Sequence, residues 1–215
     1  MARRKVHPIV EQLRFTRSEW LRALRGVTAK DARVHHGQMN SIGWIVGHLA
    51  WQEQRYLLQR PQGKLPRRDI LERFFSGGPM STPALADTYG AWKQITRAAD
   101  PFLDTLTTNQ LVKDLPLVTG KRSGQTLGSA IRRMTYHYWF HIGEILAIRQ
   151  MLGGKRLPEY VGAIERKAPY RPDSKPRLAR RSVAGSSTRL RRSGRRPARS
   201  RRAAPVRSAR AARPR

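Results

Sequence analysis

Cysteine is absent from this 215-residue chain, which removes disulfides, thiolate zinc sites and cysteine nucleophiles together. Acidic residues are also scarce: 14 Asp and Glu stand against 44 Lys and Arg, for a formal charge of +30. No apolar run approaches the 18 or so residues that a membrane-spanning helix needs, and the start, Met-Ala-Arg-Arg-Lys, leads into amphipathic rather than continuously apolar sequence. Alternating apolar and polar residues of the kind that mark a half-buried strand do not occur. These absences point to an all-α protein without a membrane span, expected in the cytoplasm.

The charge is unevenly spread. Residues 171–215 hold 17 Lys and Arg and one acid, Asp173, so they carry +16 and leave +14 for residues 1–170. All five tryptophans and all five phenylalanines lie in the first part, whereas the last 45 residues are mostly Arg, Ala, Ser, Pro and Gly. Such a segment buries too little apolar surface to offset its ordering entropy. The chain is accordingly divided into a globular body, 1–165, and a disordered Arg-rich tail, 166–215. Arg pairs such as Arg191-Arg192 and Arg201-Arg202 would neutralise phosphates without reading sequence, since no aromatic side chain is there to stack on bases. Nonspecific nucleic-acid association through 171–215 is one expectation for the tail, and an extension with no role is the other.

Within the body, four helices are predicted. The first spans His7 to Val27, with Ile9, Leu13, Trp20, Leu21 and Leu24 facing in and Arg14, Arg17, Arg22 and Arg25 facing out. The second begins at an Asn40 or Ser41 cap and ends before Pro61 and Gly63, with Ile42, Trp44, Ile45 and Leu49 on its apolar side. A third is expected from Thr82-Pro83, running through a kink at Pro101 to about Leu106. Thr126 caps the fourth, which aligns Leu127, Ile131, Met134, Tyr138, His141, Ile145, Ile148 and Leu152 before Gly153-Gly154 ends it. Between them, a short turn is expected around Ile70 to Phe75 and a brief extended pairing at Val112 to Thr119. The fold class is therefore all-α, a four-helix bundle.

Three histidines carry the chemistry. His137 and His141 are four residues apart, hence on one helix face. His48 lies one turn beyond Trp44 and Ile45, near the middle of the second helix as the pair is near the middle of the fourth. Three neutral imidazoles with one position open suit a divalent ion such as Zn, Ni, Fe or Mn, among which ligand type alone does not choose. A structural role for the pair stands beside the metal reading on spacing alone. Glu144, one turn after His141, either orients that ring or pairs with an Arg. Glu53 and Tyr138 are candidates for acid–base work or for the core, with the core favoured. His7, His35 and His36 receive no metal role. Gly43, Gly47 and Gly143 interrupt predicted helices, and close packing is the default explanation.

At two segments, Asn40-Ser-Ile-Gly-Trp-Ile-Val-Gly-His48 and Thr126 through His137-Tyr-Trp-Phe-His141-Ile-Gly-Glu144, the sequence resembles the DinB-like superfamily of DinB/YfiT-like metalloenzymes. The resemblance covers roughly residues 7–155. It implies a four-helix bundle with the family's three-histidine metal site at His48, His137 and His141, and homodimerisation. It also implies, as one activity among its members, a metal-dependent S-transferase using a low-molecular-weight thiol such as mycothiol or bacillithiol. The alternative is a nonenzymatic stress-response or binding protein that keeps the bundle.

Overall fold

The computed structural model describes residues 6–159 and 161–171 of the chain. Most of the basic tail, residues 172–215, lies outside the described residues, so the expectations of disorder and of nucleic-acid association there concern chain that is not described.

Helix α1, Pro8–Leu24, opens on Pro8 at its first position, and the His7 side chain accepts from the Ile9 amide. Proline costs nothing there because that N–H has no intrahelical partner. Its buried residues include Val10, Leu13, Trp20 and Ala23. A 3₁₀ turn at Asp31–Arg33 leads to α2, Ile42–Glu53, whose free first-turn amides are met by the Ser41 hydroxyl, accepting from Trp44 N at 3.2 Å. The helical path then widens to a π stretch at Gln54–Gln59, resumes as one α turn at Arg60–Gln62 (α3), and stops where Gly63 takes the left-handed conformation. Helix α4, Arg68–Arg73, is the short turn expected around Ile70.

The third long helix, α5, spans Leu85–Thr105 and runs through Pro101 as one element. It starts two residues after the predicted Thr82-Pro83 signal, because the chain there serves the neighbouring helix instead. The Ser81 carbonyl accepts from the Ser41 hydroxyl, and the Pro83 carbonyl lies 2.7 Å from where a side chain on Gly43 would begin. The chain ahead of α5 thus seals the start of α2, and Gly43 is the residue that permits it.

After α6, Thr108–Leu111, a small antiparallel turn joins Leu115 N to the Gln125 carbonyl and Leu127 N to the Lys113 carbonyl, which is the brief pairing expected near Val112 to Thr119. Thr126 accepts from Ser129 N and so starts α7, Leu127–Met151. That helix closes with Gly154 N bonded to the Arg149 carbonyl and Gly153 in the left-handed region, φ 81°. Helix α8, Ile164–Lys167, lies next to α1. Ala168, placed in the tail by composition, is buried with its carbonyl accepting from Gln12, and Arg171 pairs with Glu11.

Among the described residues the protein is all helix apart from that single bridge. Helix α1 packs chiefly on α7, α2 on α5, and α2 meets α7. One buried cluster of aliphatic and aromatic side chains fills the space between them. No described helix is long and apolar enough to cross a membrane.

A polar brace runs through this core. Arg17, which helical periodicity places outside, is 6% exposed and makes a two-pronged pair with Glu53, 2.7 Å at each prong. Tyr138 donates to Glu53 at 2.9 Å, Trp92 Nε1 donates to the Tyr138 oxygen at 2.6 Å, and Asp100 completes the set at 2.9 Å from Arg17. One network therefore ties α1, α2, α5 and α7. A guanidinium inside a bundle is costly unless acceptors, a carboxylate above all, meet it. Periodicity cannot see that carboxylate, because it comes from another helix. Leu21, by contrast, is 38% exposed although it belongs to the predicted apolar stripe.

Candidate metal centre

His48 sits at the middle of α2, and two tryptophans of its own helix enclose it. Trp44, four residues before, stacks on the ring at 4.9 Å, and Trp51, three residues after, stacks at 5.2 Å. The α2 backbone can come this close to α4 because residue 47 is glycine: a β-carbon there would lie 2.6 Å from the Phe74 ring. With α4 held so near, the Phe74 carbonyl reaches the His48 ring and accepts from its Nδ1 at 2.8 Å.

His137 and His141 project from one face of α7 toward the same place. Nδ1 of His137 donates to the Gln52 amide oxygen at 2.6 Å, and Nδ1 of His141 donates to Glu144 at 2.5 Å. Glu144 therefore orients His141, the first of the two roles open to it in the sequence. Gln52 stands four residues after His48 on the same face, but it serves His137 on the other helix, which no spacing in the sequence signals. The Phe74 carbonyl leaves no signal either.

All three rings are thus anchored through Nδ1 by acceptors of three kinds: a peptide carbonyl, an amide oxygen and a carboxylate. An acceptor on Nδ1 fixes the proton there and leaves Nε2 as a bare lone pair. The free nitrogens converge. Nε2 of His137 and Nε2 of His141 are 2.9 Å apart, and the three rings together place one ligand atom each within 4.8 Å of one another. Two donors about 2.0–2.1 Å from a tetrahedral ion lie roughly 3.3 Å apart, so the donor set has the span that a single ion requires.

Burial pushes His137 down to about 3, and the neighbouring His141, His48 and Arg133 act in the same direction. Burial likewise takes His48 down to about 4, with the Phe74 carbonyl opposing and His141 reinforcing the shift. At neutral pH these two rings are therefore uncharged. Nε2 of His137 and Nε2 of His141 face each other at 2.9 Å. With the His48 ligand atom within 4.8 Å of both, the cluster is compatible with metal binding.

A family model described as the DinB superfamily matches residues 9–145. The chain belongs to the DinB superfamily. The match contains both histidine-bearing segments, with α2 and α5 in full, α1 entered at its second residue and α7 left at Ile145. No curated protein matches the chain in sequence. Membership in this metal-associated superfamily agrees with the three-histidine cluster, and neither specifies an ion.

The remaining candidates fall outside the centre. Glu53 is fully buried in the brace with Arg17, and Tyr138, adjacent to His137 in the chain, points into the same brace. Burial raises the Tyr138 hydroxyl well above its ordinary value, and Glu53 adds to the shift, which is the opposite of what a general base needs. His35 bonds the Met39 carbonyl in its own loop and His7 caps α1. Of the three helical glycines, Gly43 and Gly47 allow close backbone approach, whereas nothing lies within 4 Å of the position where a Gly143 side chain would begin.

Proposed function

We propose that this DinB-superfamily protein holds one divalent metal ion on Nε2 of His48, His137 and His141, and uses the remaining coordination position for a thiol-dependent transfer reaction. The observation that carries the metal assignment is the convergence of three ring nitrogens within 4.8 Å, two of them 2.9 Å apart, with each ring held at Nδ1 by its own acceptor. An ion on three neutral ligands keeps its full double charge, and it lowers the pKa of a bound thiol or water toward neutrality.

The protein's own groups account for the rest of the site. Trp44 and Trp51 clamp the His48 ring between apolar faces and exclude water from it. Glu144 and Gln52 hold the other two rings and strengthen them as donors. With no cysteine in the chain, a sulfur nucleophile has to come from a cosubstrate, and a low-molecular-weight thiol of a reducing cytoplasm is the class that fits.

Elemental analysis of freshly purified protein tests the site. Near one ion per chain is expected, and His137→Ala should lose most of it while retaining the helical circular dichroism spectrum. Loading unaffected by that change would remove the metal assignment. Incubation of metal-loaded protein with an aryl halide electrophile and bacillithiol, mycothiol or glutathione tests the transfer. Turnover with none of the three would end the transferase reading and leave the metal site standing.

A further inference from the structure

A cavity of about 560 Å³, one helical turn along α7 from His137, is lined by residues that include Arg55, Tyr56, Arg60, Ser123, Gln125 and Arg133. Three guanidinium groups and no carboxylate face it. Arg133 lies one turn before His137 on α7 and belongs to the charges that act on that ring. Arg55 rests over the Trp51 ring at 5.6 Å, and Trp51 in turn stacks on His48. The cavity is therefore linked to the histidine cluster through Arg133 on α7 and through Trp51 on α2.

The local fold that assembles it is unusual. In an α-helix, residues five apart point about 140° away from each other. Here the widened stretch Gln54–Gln59 bonds the Arg60 amide to the Arg55 carbonyl, an i to i+5 closure that stacks residue 60 over residue 55. Two arginines that a regular helix would set on different sides thereby share one wall. Single π turns of this kind are frequent at functional sites.

The charges in this wall are unmatched. Arg60 is 8% exposed, and its guanidinium donates to the carbonyls of Leu115 and Pro116 and the Gln125 amide and interacts with Tyr56, without an ion pair. Arg55 and Arg133 make no ion pair among the described residues. Asp114 acts on Arg60 through its charge, but its oxygens accept from the backbone amides of Ser123 and Gly124. A buried guanidinium without a carboxylate is costly unless something anionic meets it, and planar guanidinium groups match a carboxylate or phosphate through paired N–H donors.

We propose that this cavity is an anion-binding subsite in which Arg55, Arg60 and Arg133 receive the terminal carboxylate or phosphate of a small-molecule substrate or cosubstrate. The position of the subsite, one helical turn along α7 from His137, means that such a molecule, held by its acidic end, presents its other end to the proposed metal. That second clause rests on the metal reading, whereas the anion binding does not.

Calorimetric titration of the full chain with malonate and, separately, with inorganic phosphate tests the subsite, with metal content measured on the same samples. The two probes distinguish a carboxylate site from a phosphate site. Saturable binding of at least one is expected, weakened at least tenfold in Arg55→Gln/Arg133→Gln. The basic residues of 172–215 are untouched by those substitutions, so the difference between the two proteins reports the cavity alone. Arg133→Glu, a charge reversal at an exposed position, should abolish the binding with an unchanged thermal midpoint. Binding that persists at wild-type affinity in both variants, or no saturable binding of either probe to the wild type, overturns the subsite. Binding lost in the variants from a protein that carries no metal keeps the subsite and removes only its connection to the histidines.

Discussion

Replacing Glu53 with Leu removes the carboxylate at the centre of the core brace while filling most of its volume. Arg17 then keeps its charge inside the bundle, with its two 2.7 Å partners gone and only the half-exposed Asp100 at 2.9 Å remaining. Breaking a fully buried pair from one side costs about 3–5 kcal/mol. Asp100 pulls the figure toward the lower end of that range. The Tyr138 hydroxyl moves it back, because its donor loses the acceptor it has at 2.9 Å and an unmet buried donor costs about 1–3 kcal/mol. The net expectation is about 4 kcal/mol, which for a body of this size lowers the melting temperature by roughly 8–16 °C. Urea unfolding followed by circular dichroism measures it, with the slope unchanged if only stability has moved. The companion variant decides the mechanism. Arg17→Met combined with Glu53→Leu removes both charges and leaves the unmet Tyr138 hydroxyl as the main cost, so it should recover much of the loss and lie within about 1–3 kcal/mol of the wild type. It should also retain metal loading, because neither residue touches the three rings. A Glu53→Leu protein destabilised by less than about 1 kcal/mol, or a double variant as unstable as the single, would refute the account of the brace.

Gly47→Ala sets a β-carbon 2.6 Å from the buried Phe74 ring, so α4 must shift and carry the Phe74 carbonyl away from His48; metal affinity should fall about 10–100-fold, and isothermal titration with zinc reads the change. Glu144→Gln leaves a weaker acceptor on His141 Nδ1, and a loss in the same range is expected in a chelator competition assay, with stability little altered because Glu144 lies at the edge of the site. The metal-free protein should lose stability as pH falls below about 6.5. The unfolded chain then takes up protons that His48 and His137 refuse until about 4 and about 3, so each ring contributes a slope of up to about 1.4 kcal/mol per pH unit across its window. Above pH 6.5 neither ring contributes, and chemical denaturation of chelator-treated protein from about pH 7.5 to 4 follows both regimes.

Helix identity and order were legible because they rest on local rules. The Ser41 and Thr126 caps, Gly63, Gly153 and the long apolar face of α7 act within a turn or two of chain, and each takes the form that its residue type dictates. His137 and His141 belong to the same category, since a spacing of four settles that they share a face. Glu144 lies within a turn of the ring it serves and is visible for that reason. Gln52 is a turn from His48 but bonds His137 on another helix, so its role shows only once the two helices are packed together.

What the sequence by itself determined was therefore what capping and local periodicity control: an all-α body and the histidines on inward helix faces. Tertiary structure alone decided which faces met. It buried Arg17 against a carboxylate 36 positions away, drew the Phe74 carbonyl onto His48 across the gap left by Gly47, and closed the π turn that brings Arg55 over Arg60. The physical reason is common to all three. A charge, a carbonyl or a widened turn is unfavourable on its own and is tolerated only where a partner distant in sequence meets it, and that distance is what no local pattern records.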